Sequence, residues 1–385
     1  MNKYINPILF RILGIFLIWR ILLIIFLIFA VSAVPLANID RFLGGGAKNY
    51  QLAPEFFSWA NFDGEHYLAI AIFGYKELEQ AFFPVYPILV NFFSKPFHGD
   101  QFTTLVSSTM VGLLISNIAF FLAMVFLWKL IRIDFSEGIA YLTLVVLVLF
   151  PASFYFGSLY NESFFLLLSV VAFYNARRGN WLVAGILGGV SSATRIFGLL
   201  LFFAFLIEAY QQKISLSKII WIFLVPLGLV FYMIYQYTAF GDPLAFYHLQ
   251  KIVGEQRQSG LTLLPQVYFR YIKMLLTVDI QNPIYQTIVL EFIVGVLFFL
   301  LPIYGYFKKI RLSYLFYAMA GFLLPTIQGS FSSVPRYVLV FFPSFLALAL
   351  FLNSRQKILK GIFVAVSTLI LAVETVLFLR GYWIA

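Results

Sequence analysis

Cysteine is absent from this chain and histidine nearly so, with three residues in 385. The first absence excludes disulfides, thiolate metal sites and cysteine nucleophiles, and the second leaves little for a histidine-rich metal centre. Charge is scarce too: 11% of residues are charged, and no hydrophilic stretch is long enough for a separate soluble domain. There is no His-Glu-x-x-His, no P-loop, no Gly-x-Ser-x-Gly elbow and no dinucleotide fingerprint. Solenoid repeats and low-complexity tracts are also missing. Nucleotide binding in a soluble cytosolic domain is therefore not expected.

What the chain has in excess is apolar. Hydrophobic residues make up 62%, with 47 Phe and 23 Tyr, far beyond the need of a soluble domain. The expected fold class is an all-α polytopic membrane protein, one domain over residues 1–385, with the lipid bilayer around it and aromatic belts at its interfaces. The formal charge of +10 could speak for nucleic acid. Its Lys and Arg residues, however, sit in short clusters between apolar runs and form no continuous basic face, so no nucleic-acid partner is expected. The first apolar run is too long for a signal-peptide core and carries Arg11 and Arg20, which reads as a retained helix.

Long apolar runs near residues 8–34, 104–131, 217–238, 284–307 and 358–380, with shorter ones near 138–156, 161–177, 312–328 and 336–353, are candidate spans. The stretch 181–211 is too long for one span, roughly 46 Å at 1.5 Å per residue. It would also join Arg177-Arg178 to Lys213 and Lys218, basic ends that belong on one side of the membrane. Two helices meeting near Ser191-Ser192-Ala193-Thr194-Arg195 resolve both conflicts. About eleven spans then result, with the basic clusters on the cytoplasmic side and two sizeable outer loops, residues 35–103 and 239–283. Pro84, Pro87 and Pro96 interrupt residues 82–98, which read as interfacial or re-entrant.

Nearly every unusual polar residue lands on the outer face. If the segment after Ala60 is helical, Asp63, His66 and Tyr67 share one face, with Asp63 in a first turn that favours its ionised form. Such a carboxylate suits a general base; it would equally serve as a helix cap, with His66 and Tyr67 as headgroup anchors. Arg195 lies deep in an apolar stretch, where a lone cation costs at least about 2.5 to 3.5 kcal/mol. Its partner is either a carboxylate, Glu162 or Asp63, or the phosphate of a lipid-linked substrate. Arg336-Tyr337 is a second cation for that phosphate or a snorkelling anchor, and Asn161-Glu162-Ser163 reads equally as a helix cap. Asp242, His248, Lys251, Glu255 and Arg257 form a solvated face or a rim that receives an acceptor.

The run Asp63-Gly64-Glu65-His66-Tyr67-Leu68-Ala69-Ile70-Ala71, then Gly74-Tyr75, then Ala81-Phe82-Phe83-Pro84-Val85-Tyr86-Pro87, resembles the first luminal loop of the PIG-V type mannosyltransferases, which belong to the membrane-embedded GT-C glycosyltransferases. Phe150-Pro151-Ala152-Ser153, Ser158 to Ser163, Ala176 to Gly179 and Ser192 to Arg195 are similar to that family's central region. Pro335-Arg336-Tyr337 with Phe342-Pro343 resembles its late motif. The resemblance implies a GT-C type bundle with interfacial helices in the first outer loop. It also implies inverting transfer of mannose, or a related hexose, from a polyprenyl-phosphate donor to a lipid-linked or surface glycan acceptor on the non-cytoplasmic face. The resemblance makes Asp63 the catalytic acidic residue near the reacting centre; the reading of the residues adds Arg195 and Arg336 as donor-phosphate ligands, and His66, Tyr67, Tyr86, Glu162 and Tyr337 as substrate-binding or supporting groups. The chain departs from the family at Phe62, where Trp is usual. A divalent cation is conceivable at the site, although Asp63 and Glu65 alone are a poor ligand set. An accessory membrane subunit is a further partner that some relatives need. The cysteine-free composition and compact loops look prokaryotic, implying the cell membrane; a eukaryotic source would imply the endoplasmic reticulum. A transporter or flippase of lipid-linked sugars is the rival from another class, since broken helices and buried arginines mark transporters too.

Overall fold

The computed structural model describes residues 5–37, 50–249, 262–282 and 284–384; among them there is no strand. Helix α1 (Ile5–Ala33) is followed by two short helices, α2 (Asp63–Phe73) and α3 (Val85–Ser94), and then by α4 (Gln101–Ile131), α5 (Glu137–Val148), α6 (Glu162–Arg177) and α7 (Trp181–Ser192). The second half contributes α8 (Leu200–Gln212), α9 (Leu224–Phe240), α10 (Leu264–Thr277), α11 (Ile284–Phe307), α12 (Leu312–Thr326), α13 (Phe342–Asn353) and α14 (Lys357–Leu379). Five segments, Pro7–Ala33, Gln101–Ile131, Leu216–Phe240, Ile284–Phe307 and Lys357–Leu379, are long and apolar enough to cross a bilayer. The chain is thus a multi-pass membrane protein, with shorter apolar helices packed among these five.

Several elements end where backbone chemistry requires it. α3 has ten residues, roughly 15 Å, so residues 82–98 do not cross. The expected run 138–156 stops being α-helical after Val148 and turns through Phe150-Pro151 into a 3₁₀ segment at Ser153–Gly157, because a residue before proline is driven out of the α region. The 181–211 stretch does break: α7 ends at Ser192, Arg195 is extended with φ −155° and ψ 149°, and the helix resumes through Ile196–Leu199. The run 336–353, expected as one helix, is instead two pieces, Val334–Val340 and Phe342–Asn353, bent by 90°. Pro343 cannot donate the hydrogen bond that a continuous helix would need there.

α6 lies at the centre, against α4 on one side and α7 on the other, while α7 also packs along α9. This last contact is backbone to backbone. A Cβ on Gly228 would come within 1.8 Å of the Gly189 carbonyl oxygen, so only glycine lets α9 approach α7 so closely. Ser192 Oγ closes the seam, donating to the Val225 carbonyl at 2.6 Å and accepting the Leu229 N–H at 3.2 Å. The seam fixes the end of α7, and therefore the corner that presents Arg195.

The first loop is stitched to the bundle directly before α2. Leu159 N–H donates to the Trp59 carbonyl at 2.9 Å. The Tyr160 hydroxyl donates to the Asn61 carbonyl at 2.6 Å, and Asn61 Nδ2 donates to the Phe378 carbonyl at 2.7 Å. Phe62 then adopts φ 59° and ψ −121°, a costly conformation for a bulky residue. Its ring is held against Phe378 and Trp383. The strained residue thus sets the direction in which α2 leaves the bundle.

Candidate active site

Four charged side chains from four parts of the sequence meet above the N-terminus of α6. Arg336 donates through Nε to Glu162 Oε1 at 2.6 Å and through a terminal nitrogen to Asp63 Oδ2 at 2.5 Å. Arg195 reaches the same Glu162 oxygen at 2.7 Å and donates to Asn161 Oδ1 at 2.9 Å. Glu162 is fully buried, both arginines nearly so, and Asp63 keeps 30% of its side-chain surface exposed. Two carboxylates and two guanidiniums balance in charge, which is how such groups persist at membrane depth. Asp63 is the exposed member.

Each placement has a local cause. Asp63 is the first helical residue of α2 and not its cap; that position belongs to Phe62, which has no side chain to cap with. Asn161 precedes α6 but does not cap it either; its amide instead donates to the Thr194 carbonyl at 3.1 Å while its oxygen accepts from Arg195. Asn161 thereby ties the start of α6 to the broken corner after α7. Arg336 comes from the short helix Val334–Tyr337, entered through Ser333 at φ 60°.

Aromatic rings enclose the guanidiniums. Arg336 lies 4.6 Å from the ring centre of Tyr160 and 5.3 Å from that of Tyr155, and Arg195 lies 5.6 Å from Phe197 and 5.9 Å from Tyr337. Such faces attract cations and exclude water. Oε2 of Glu162 is buried without a hydrogen-bond partner. Its other oxygen carries both arginines, so Glu162 aligns the two cations.

The remaining expected residues are placed differently. His66 stacks on Phe82 with centres 4.6 Å apart. Tyr67 is buried edge-on to Phe82, Tyr86 and Tyr160, and burial pushes its hydroxyl well above the usual tyrosine range. Tyr86 is fully buried, its hydroxyl bonded to the Gly112 carbonyl at 3.0 Å and to Ser116 at 2.8 Å. Asp242 and His248 form an exposed pair at 2.7 Å, whereas Lys251, Glu255 and Arg257 lie outside the described residues. Among the described residues no group of three or more His, Asp or Glu side chains is placed to hold a metal ion.

Asn161 as a connector was missed in the sequence, where it read only as a cap. Two buried acids, Glu291 and Glu374, were missed as well; the available signal was a lone carboxylate inside each of two apolar runs.

The profile of the mannosyltransferase (PIG-V) family matches residues 3–250. The chain belongs to the PIG-V mannosyltransferase family. The match includes Asp63, Glu162 and Arg195, while Arg336 lies beyond it. Membership makes the protein a membrane glycosyltransferase. No curated protein matches the chain. Among solved structures it is similar to apo ArnT from Cupriavidus metallidurans, at 11% identity and a TM-score of 0.47, over 86% of this chain and 74% of that one. It is also similar to the apo oligosaccharyltransferase of Archaeoglobus fulgidus, at 14% identity and a TM-score of 0.47, over 99% of this chain and 56% of that one. A third likeness is to the same organism's AglB in complex with an inhibitory peptide and a dolichol-phosphate, at 13% identity, a TM-score of 0.41 and coverage of 95% and 56%. The chain thus spans little more than half the length of the archaeal enzyme, and likeness this slight carries no argument about substrate.

Proposed function

We propose that this GT-C type enzyme moves mannose, or a related hexose, from a polyprenyl-phosphate donor to a lipid-linked or surface glycan acceptor on the non-cytoplasmic face, with inversion. The observation that carries this reading is the bridge from Asp63 through Arg336 to Glu162 and Arg195. It puts a partly exposed carboxylate beside two aligned guanidiniums. Asp63 is the base: an acceptor hydroxyl gives it a proton while the oxygen attacks the anomeric carbon, and the bond from that carbon to the phosphate oxygen breaks on the opposite side. The electron pair leaves with the phosphate, whose growing charge is met by Arg336 and Arg195. Donors already aimed at developing charge supply the largest share of such catalysis.

The bridge also suggests an order of events. An ion-paired carboxylate is a poorer base than a free one. A donor phosphate that draws Arg336 toward itself would loosen the Asp63 contact and so free the base only when the sugar is in place. Glu162 stays as the holder of both cations, and Tyr155 and Tyr160 keep water from the pair.

The test is transfer of label from radiolabelled polyprenyl-phosphate mannose to a membrane lipid extract by the purified protein. Asp63→Asn should abolish transfer without loss of expression. Retained turnover in that variant removes the base assignment; carrier movement across vesicles without transfer replaces the enzyme by a flippase.

A further inference from the structure

Helix α10 lies in what the sequence presents as an outer loop, yet three hydrogen bonds place it beside α11, in reverse order. Tyr285 Oη donates to the Leu275 carbonyl at 3.3 Å, Tyr271 Oη to Glu291 at 2.6 Å and Tyr268 Oη to the Gly295 carbonyl at 2.9 Å. The two helices are therefore antiparallel neighbours. Gly295 stands eleven positions beyond Ile284, where α11 begins, roughly 16 Å at 1.5 Å per residue. The beginning of α10 thus reaches a depth of about half a hydrocarbon core of about 30 Å. With 14 residues, about 21 Å, it cannot cross.

Its sequence divides into three stripes. Val267, Tyr271, Met274 and Val278, at helical spacing, face the bundle. Gln266, Arg270, Lys273 and Thr277 form a polar stripe, from which Arg270 donates to the Gly329 carbonyl at 3.0 Å. Phe269, Ile272 and Leu276 form the third, and they are 67%, 47% and 81% exposed. An apolar stripe of this size has no reason to face water. At helical spacing it lies beside the Tyr268 and Leu275 side that meets α11, a spanning helix whose Ile293, Leu297 and Leu300 are likewise exposed. Depth and adjacency to α11 together name what covers it.

From this placement we infer that α10 is a half-bilayer wall between the lipid and the site, with Phe269, Ile272 and Leu276 seated on acyl chains of the leaflet on the site side and Lys273 in water. Its inner stripe ties that wall to the site. The Tyr271 hydroxyl accepts the Phe331 N–H at 3.2 Å, and Glu291, which it also holds, accepts the Ser333 N–H at 3.0 Å. These bonds fasten the turn that leads into Arg336. The inference does not rest on the proposed transfer reaction, since lipid contact can be read without turnover.

Because the chain has no cysteine, a single introduced thiol takes a spin label without background. Phe269→Cys, Ile272→Cys, Leu276→Cys and Lys273→Cys alter exposed side chains and should fold as the parent does. In proteoliposomes, the label at 269, 272 and 276 should collide several-fold more with oxygen, which concentrates in lipid, than with a water-soluble nickel chelate, and the preference should grow from 276 to 269. The label at 273 should prefer nickel. Nickel access at 269 and 272 equal to that at 273 puts the helix in water and overturns the inference. Labels that are immobile and shielded from both reagents show a protein cover, from this chain or a second subunit, and overturn it equally.

Discussion

Both ends of α6 carry a network of carboxylates and arginines, and the two are built for different purposes. At the C-terminal end, Glu208 is fully buried and saturated. One oxygen accepts from Gln212 at 2.7 Å and is ion-paired with Arg311 at 2.8 Å and Arg177 at 3.3 Å, and the other accepts from Arg311 Nε at 2.9 Å and Ser313 at 2.5 Å. Arg177 also grips Asp134 with both terminal nitrogens. Every strong acceptor there is used within the protein, and the network fastens α6, α8 and α12 together. At the N-terminal end, Glu162 leaves one oxygen unpartnered and Asp63 stays partly exposed at the end of a strained loop. A saturated network is a clamp; an unsaturated one faced with aromatic rings has capacity left for a ligand.

The sharpest way to break this contrast is to remove one charge from each end. Arg336→Lys keeps a cation but loses the planar fork, and transfer should fall by about 10²- to 10³-fold with melting nearly unchanged. Glu208→Gln should do the reverse. It leaves Arg177 and Arg311 short of a buried partner, which costs about 3 to 5 kcal/mol in thermal or denaturant unfolding, while turnover per folded molecule is preserved. If Arg336→Lys destabilised as much as Glu208→Gln, the site network would be a second clamp and the catalytic reading would lose its support.

A smaller effect sharpens the comparison from the helix seam. Gly228→Ala forces α9 away from the Gly189 carbonyl, and overpacking of this kind costs about 1 to 3 kcal/mol. Because the same seam sets the Arg195 corner, KM for the donor should rise along with the fall in melting temperature. The smallest effect belongs to Asp242, in the exposed second loop. The hydrogen bond from the His248 ring, with the Leu244 N–H, holds its carboxyl below the usual carboxylate range. A depressed carboxyl stabilises the fold above the unfolded value of about pH 4 and loses that contribution as the pH falls through the folded one. The slight melting difference between the parent and Asp242→Asn should therefore vanish in acid, with transfer unchanged throughout.

Much of the site was legible in the chain because membrane physics makes polar residues conspicuous. Asp63, Glu162, Arg195 and Arg336 stand out against apolar surroundings, and the break between α7 and α8 followed from length and charge placement. The bend at Phe341 was not legible in full, since Pro343, about two turns into the run, signals a kink or break without setting its angle. Nor was the duty of Asn161, whose position announces a cap while its amide serves Arg195. Tyr86 was expected as a substrate-binding or supporting group, and its burial against Tyr67 was not legible in the chain. Helix α10 stayed hidden because three narrow stripes over 14 residues average to a weak apolar signal.

Hydrophobic content, the spacing of apolar runs and the scarcity of charge determined by themselves that this chain lives in a bilayer and that its few buried ions must find one another. Those are local and compositional constraints, and each residue carries its own share of them. Which acid meets which arginine was decided only in three dimensions. Asp63 and Arg336 are 273 positions apart, and their meeting depends on the direction given by Phe62, the close approach at Gly228 and the turn held by Tyr271, contacts that no stretch of sequence contains.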